Sequence, residues 1–175
     1  MNLSVVRRAL GAGAAVAVTL SAAAVVAPAA EAYSFTGCRW ASANVLYNNQ
    51  APGVSATAFA NGVSQWSSRT DVNLSSNVSS ATFFLIRNNN GANGYDGYAN
   101  WECSNGTTLR STASINGYYT DGYSATRRQA VATHEIGHGL GLNHSSSNAI
   151  MYSSPGSLSF YTLQSDDVNG MNARY

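Results

Sequence analysis

The segment His134–His144 reads HEIGHGLGLNH and holds every histidine of the 175-residue chain. In an α-helix, residues four apart stack about 6 Å along the axis, so His134 and His138 present their imidazoles to one point. Glu135 lies about 100° round the axis from His134, close to that point but off the line of the two rings. A straight helix would offer a third group at position 141 or 142, yet the chain places Gly141 there and its third histidine at 144. Glycine tolerates φ > 0, so the spacing predicts that the helix ends near Gly141, turns sharply, and brings His144 back beside the first two rings. Drawn at random from this chain's composition, the pattern H-E-x-x-H-x-x-G-x-x-H would arise in about one sequence per million.

Three neutral imidazoles suit zinc, with Zn–N distances of about 2.0–2.1 Å and a fourth tetrahedral position open to water. His134, His138 and His144 are therefore the candidate metal ligands. Zinc lowers the pKa of bound water towards about 7, and Glu135, placed off the ligand axis, is the candidate general base for its attack on a carbonyl. The same carboxyl would then pass its proton to a leaving amine. A purely structural site has no use for such a base.

At these residues the chain resembles the metzincins, and within them the matrixins, the matrix-metalloproteinase-type catalytic domains. Ser145 follows the third histidine, as in matrixins, and Ala149-Ile150-Met151-Tyr152 resembles the Met-turn of the family. Residues Leu163 to Met171, with Asp166-Asp167, Arg174 and Tyr175, resemble the closing helix. The resemblance implies an α+β, zincin/metzincin-like fold: a twisted mixed β-sheet with a scaffold helix, an active-site helix and a C-terminal helix. It implies one catalytic Zn2+, Met151 as a hydrophobic base beneath it, and an endopeptidase acting on extended protein or peptide substrates. Gly141 and Met151 are then structural residues of the site.

The departures are specific. No histidine is left for the structural zinc of typical matrixins, and no Pro-Arg-Cys-Gly latency segment is present. Ser153 and Ser154 intervene before Pro155, which leaves the wall of the specificity pocket undefined. Tyr152 directly follows Met151 and is read as a packing residue. Two other readings stay open: a metzincin-like binding module without turnover, and a zinc amidase acting on a non-protein amide.

Residues 1–32 read as a signal peptide. Arg7 and Arg8 precede an apolar, alanine-rich run, and Ala30-Glu31-Ala32 fits a small-x-small cleavage site. This predicts a secreted, extracellular protein with one catalytic domain over 33–175. In that segment seven arginines balance seven acidic residues and lysine is absent. A neutral surface argues against nucleic acid or an anionic membrane as partner, and the protein is expected to be a monomer. In an oxidising compartment Cys38 and Cys103 are most simply a disulfide. Two alternatives are Cys38 as a thiol that blocks the metal, and a pair of free thiols.

Local patterns predict an edge strand over 44–47, a scaffold helix over 55–66 capped by a serine, and strands at 72–74 and 82–86, the latter central. An Asn/Gly loop follows at 88–94. By resemblance, 95–101 is the edge strand above the cleft, able to pair with a substrate peptide. A strand over 108–115 and a Gly/Tyr loop over 116–123 precede a capping box, Thr126 to Gln129, that opens the histidine helix. Residues 145–165 read as loop, and Asp166 and Asp167 favour a helix start. The loop 88–96 offers oxygens to calcium but lacks clustered carboxylates, and is read as an ordinary loop.

Overall fold

The computed structural model describes residues 33–146 and 148–175; the expected signal peptide lies outside the described residues. Its frame is a five-stranded sheet of strands β1 (Asn44–Asn49), β2 (Asn73–Ser76), β3 (Phe83–Asn88), β4 (Gly97–Ser104) and β5 (Thr107–Asn116), in the order β2-β1-β3-β5-β4. The first four in that order pair in parallel, and β4 runs antiparallel to β5 at the edge. Helices α1 (Gly53–Arg69), α2 (Gly117–Thr120), α3 (Ala125–Gly139) and α4 (Ser165–Arg174) complete the architecture.

Period-two alternation explains which face of the sheet is covered. Phe83 and Leu85 of β3, with Ala113 and Ile115 of β5, are fully buried against the helices. Phe84, on the opposite face, is half-buried beneath the Arg110 guanidinium at 4.6 Å. Phe59 and Trp66 from α1 and Ile136 and Leu140 from the end of α3 fill the same core. Gly62 lets the two helices approach closely, since a Cβ there would lie 3.0 Å from both Ile136 Cδ1 and Thr133 Oγ1. The Trp66 indole N–H donates to the Thr133 carbonyl at 2.9 Å, so the largest core side chain leaves no polar atom unpaired.

Four local expectations change. Strand β1 lies inside the sheet, because the short β2 takes the edge, and strand order is a property of the crossovers rather than of either strand's pattern. Helix α1 starts from Pro52-Gly53, and Ser55 lies buried in its first turn without capping it. The segment 116–123 contains α2, with the Asn116 side chain as its cap. The cap of α3 is Ser124, whose Oγ accepts from the Arg127 amide at 3.3 Å; Thr126 already lies inside the helix. Asn105 and Gly106 join β4 to β5 with φ of +48° and +75°, the both-positive pair that a two-residue type I′ turn requires.

Cys38 and Cys103 form a disulfide with a Cα–Cα distance of 6.3 Å, which excludes Cys38 as a thiol that blocks a metal. The bond ties the N-terminal segment to β4 across a sequence separation of 65. Closing a loop of that length removes about 4 kcal/mol of unfolded-state entropy. The Cys38→Ser/Cys103→Ser double variant should therefore lose stability of that order in urea titration, and an unchanged midpoint would contradict the role of the bond.

Candidate metal centre and cleft

Helix α3 carries the first two histidines, and its C-terminus sets the third. Leu140 is the C-cap and Gly141 follows at φ +106°. The Gly141 amide donates to the His138 carbonyl at 2.9 Å and the Leu142 amide to the Gly137 carbonyl at 3.0 Å, the paired bonds of a Schellman stop. Two more carbonyls at this helix end are met by side chains: Gly139 by the Trp40 indole at 3.0 Å and Leu140 by the Tyr175 hydroxyl at 2.7 Å. The chain then reverses and returns His144 to the helix.

The result is a cluster of three imidazoles whose ligand atoms all lie within 4.8 Å of one another. Ring centroids are 4.5 Å apart for His134 and His138, 5.3 Å for His134 and His144, and 4.8 Å for His138 and His144. The Nδ1 of His134 lies 2.8 Å from the Ile150 carbonyl, and that of His138 lies 2.8 Å from the Leu142 carbonyl. A carbonyl only accepts, so each Nδ1 carries the proton and each Nε2 keeps its lone pair for a metal. His144 is held through the backbone on both sides. The Asn143 amide donates to the Ser34 carbonyl at 2.8 Å, the Ser34 hydroxyl to the His144 carbonyl at 3.1 Å, and the Ser145 amide to the Met151 carbonyl at 2.9 Å.

Met151 is fully buried, with its sulfur against Gly137, the residue between the two helical histidines on the chain. A Cβ at Gly137 would clash with that sulfur and lie 2.9 Å from the Trp66 ring, so a glycine is needed for the Met-turn to reach the helix. Asp167 fixes the turn from below. Its carboxylate, 1% exposed, accepts from the Ile150, Met151 and Gln164 amides at 2.8, 3.0 and 2.7 Å. Burial raises its pKa in spite of those three donors. Thus the carboxyl read from sequence as a favourable helix-start charge also orients the peptide whose carbonyl meets His134.

Glu135 is 4% exposed and lies under β4. A Cβ at Gly97 would sit 2.7 Å from its Oε1, so a side chain there would collide with the carboxylate. Its Oε2 is buried and has no hydrogen-bond partner among the described residues. Desolvation, aided by the Asp96 charge, raises the Glu135 pKa well above the usual carboxyl range. Desolvation acts oppositely on the imidazoles: it lowers His134 well below its ordinary value, His138 to about 4, and His144 more modestly. Unprotonated imidazoles converging beside an unpartnered buried carboxylate oxygen fit a nitrogen-ligated divalent metal, and the all-histidine donor set suits zinc.

These groups line a cleft of about 410 Å³ between the start of β4 and the wall Ser153–Ser157. Sequence reading missed two of its residues, Asp96 and Arg127, and the Tyr123 that joins them. Asp96 accepts from the Tyr123 hydroxyl at 2.6 Å, and the Arg127 guanidinium lies 3.7 Å over the Tyr123 ring. Burial first, then the Asp96 bond, pushes the Tyr123 hydroxyl up to about 12. Gly156 closes over this group, since a Cβ there would lie 2.6 Å from Asp96 Oδ2 and 3.1 Å from Arg127 Nε. Tyr123 and Arg127 flank the start of α3, but Asp96 comes from the far side of β4 and β5, so no local spacing announces the group. Tyr152 is half-buried, and its backbone bridges to Ser145.

The family model of the matrixins matches residues 56–175. No curated protein sequence matches the chain significantly. Among solved structures the fold is similar to myroilysin, with a TM-score of 0.57 and 13% identity over 80% of this chain and 96% of that one. It is also similar to high choriolytic enzyme 1, a hatching enzyme zinc-protease from Oryzias latipes (Medaka fish). There the TM-score is 0.51 and the identity 12%, over 77% of this chain and 92% of that one. At such identities the likeness is one of fold.

Asp167→Ala would leave three amides, two of them buried, without their acceptor. The expected loss is about 3 kcal/mol or more in chemical denaturation, and a stability equal to the parent's would contradict the role given to Asp167.

Proposed function

This chain belongs to the matrixins and is a zinc metallopeptidase, and on that premise we propose that it is a secreted endopeptidase in which Glu135 is the general base. His134, His138 and His144 would hold the ion through Nε2 of the two helical histidines and a ring nitrogen of His144. When bound, zinc supplies Lewis-acid chemistry, acidifying water and polarising a carbonyl oxygen. The observation that carries the reading is the buried, unpartnered Oε2 of Glu135 beside the three converging imidazoles.

The chain's own residues divide the remaining work. Glu135 accepts a proton from the attacking water and returns it to the leaving amine, and burial, which raises its pKa, makes the carboxyl a stronger base than a solvated one. Strand β4 has one edge paired to β5, and its first residues line the cleft. Its other edge supports the reading that an extended peptide adds to the sheet there, with a side chain directed towards the wall Ser153–Ser157. Residues 1–32 are proposed to be a signal peptide removed on export, leaving a monomeric catalytic domain over 33–175. The disulfide is compatible with secretion, and no helix among the described residues is long and apolar enough to cross a membrane.

Glu135→Gln should lower peptide hydrolysis about a thousandfold while the purified protein keeps its zinc; a rate near the parent's would remove Glu135 from the mechanism. In His144→Ala, zinc content by elemental analysis should fall well below that of the parent, and equal content would count against the third ligand.

A further inference from the structure

The loop between β3 and β4 forms the rim of the cleft, yet it holds no regular structure of its own. Gly91 and Gly94 adopt φ of +63° and +85°, which turns several of its oxygens inward. Those oxygens converge on one side chain. Asn116, 1% exposed at the end of β5, places its Nδ2 at 3.0 Å from the Gly91 carbonyl, 3.1 Å from Asn93 Oδ1 and 3.2 Å from the Tyr95 carbonyl. Its Oδ1 accepts from the Asn90 amide at 3.0 Å and the Tyr118 amide at 3.2 Å. With two N–H donors on one side and two donors received on the other, the orientation of the amide is fixed and its capacity is filled.

This arrangement answers the question that the loop's composition raised. Three neutral oxygens around one point resemble part of a calcium cage, but a calcium ion takes six to eight oxygens at about 2.3–2.6 Å. Here the point is taken by an amide nitrogen of the protein itself. Two further bonds carry the effect towards the site. The Asn116 backbone amide donates to the Asp96 carbonyl at 2.7 Å, next to the Gly97 that packs on Glu135, and the Gly94 amide donates to the Tyr119 hydroxyl at 2.8 Å.

We propose that Asn116 is a positioning residue of the peptidase: its side-chain amide fixes the rim loop 89–96 without a cation and thereby sets affinity for substrate that it does not touch. The part concerning substrate rests on the reading of the β4 edge and its preceding loop as the substrate rim. The part concerning the loop does not.

The test compares the zinc-loaded parent with Asn116→Asp and Asn93→Ala by hydrogen exchange and by steady-state hydrolysis of an extended peptide. Asn116→Asp keeps the shape but turns three donated contacts into repulsions. Amide exchange over 90–95 should accelerate about tenfold or more, with β1 and α4 unchanged. KM should rise about tenfold with kcat within about twofold, the pattern of lost substrate binding rather than lost chemistry. Asn93→Ala, which removes one of the three acceptors of Asn116 together with the bond from the Tyr95 amide to Asn93 Oδ1, should move both readouts the same way by less. In the parent, added calcium should leave loop exchange unchanged. Unaltered exchange in Asn116→Asp, an unaltered KM, or loop exchange in the parent that slows with calcium would each overturn the proposal. A parent that hydrolyses no peptide would instead count against the endopeptidase reading, while hydrogen exchange still decides whether the amide holds the loop.

Discussion

The reversal of the chain at Gly141 is the constraint on which the three-histidine cluster depends. Its φ of +106° is open to glycine and strained for other residues, and a Cβ there would lie 2.6 Å from the Cys38 carbonyl. From this turn three consequences follow. The Leu142 carbonyl reaches the His138 ring, segment 141–143 pairs with the N-terminal segment through the Thr36 and Asn143 amides, and His144 comes within reach of the other two imidazoles. A helix that simply continued would supply two histidines and no third.

Around that turn the structure spends its polar groups in a chain of dependence rather than as separate contacts. Asp167 holds the amides of the Met-turn, the Met-turn offers the Ile150 carbonyl to His134, and Met151 rests on Gly137 between the histidines. Nearly every buried polar atom on this path has a partner, as interiors require. Among the described residues four buried side-chain atoms have no hydrogen-bond partner, three of them on Arg127 and Arg174, and the only acceptor of the four is the Glu135 Oε2. Burial then has opposite effects on the two kinds of titratable group in the cleft, favouring neutral imidazoles and a carboxyl that holds its proton more tightly. Both have desolvation as their largest cause.

What could be read from the chain alone was whatever depends on short spacings. The i,i+4 histidines, the glycine stop, the period of the scaffold helix and the Asp-Asp helix start are local patterns, and each corresponds to an element of the fold. The cap of α3 was misplaced by two residues because Ser124 and Thr126 are both competent hydroxyls, and only the backbone decides between them. The interior position of β1 and the meeting of Asp96 with the Tyr123–Arg127 pair are set by connections between distant segments. Asn116 was hidden for a different reason: an Asn-Gly pair reads as a turn, and nothing in it reveals that the asparagine side chain faces inward to five partners. The Cys38–Cys103 bond was one of three readings of two cysteines, and geometry selected it.

The central question is whether the turn at Gly141 completes a three-histidine site for a single ion. Zinc K-edge X-ray absorption on the purified protein measures this without reference to any substrate. The account predicts one zinc per chain in a four-coordinate shell of three imidazole nitrogens and one oxygen at about 2.0–2.1 Å. A shell with only two imidazoles, or with sulfur among the ligands, would contradict it.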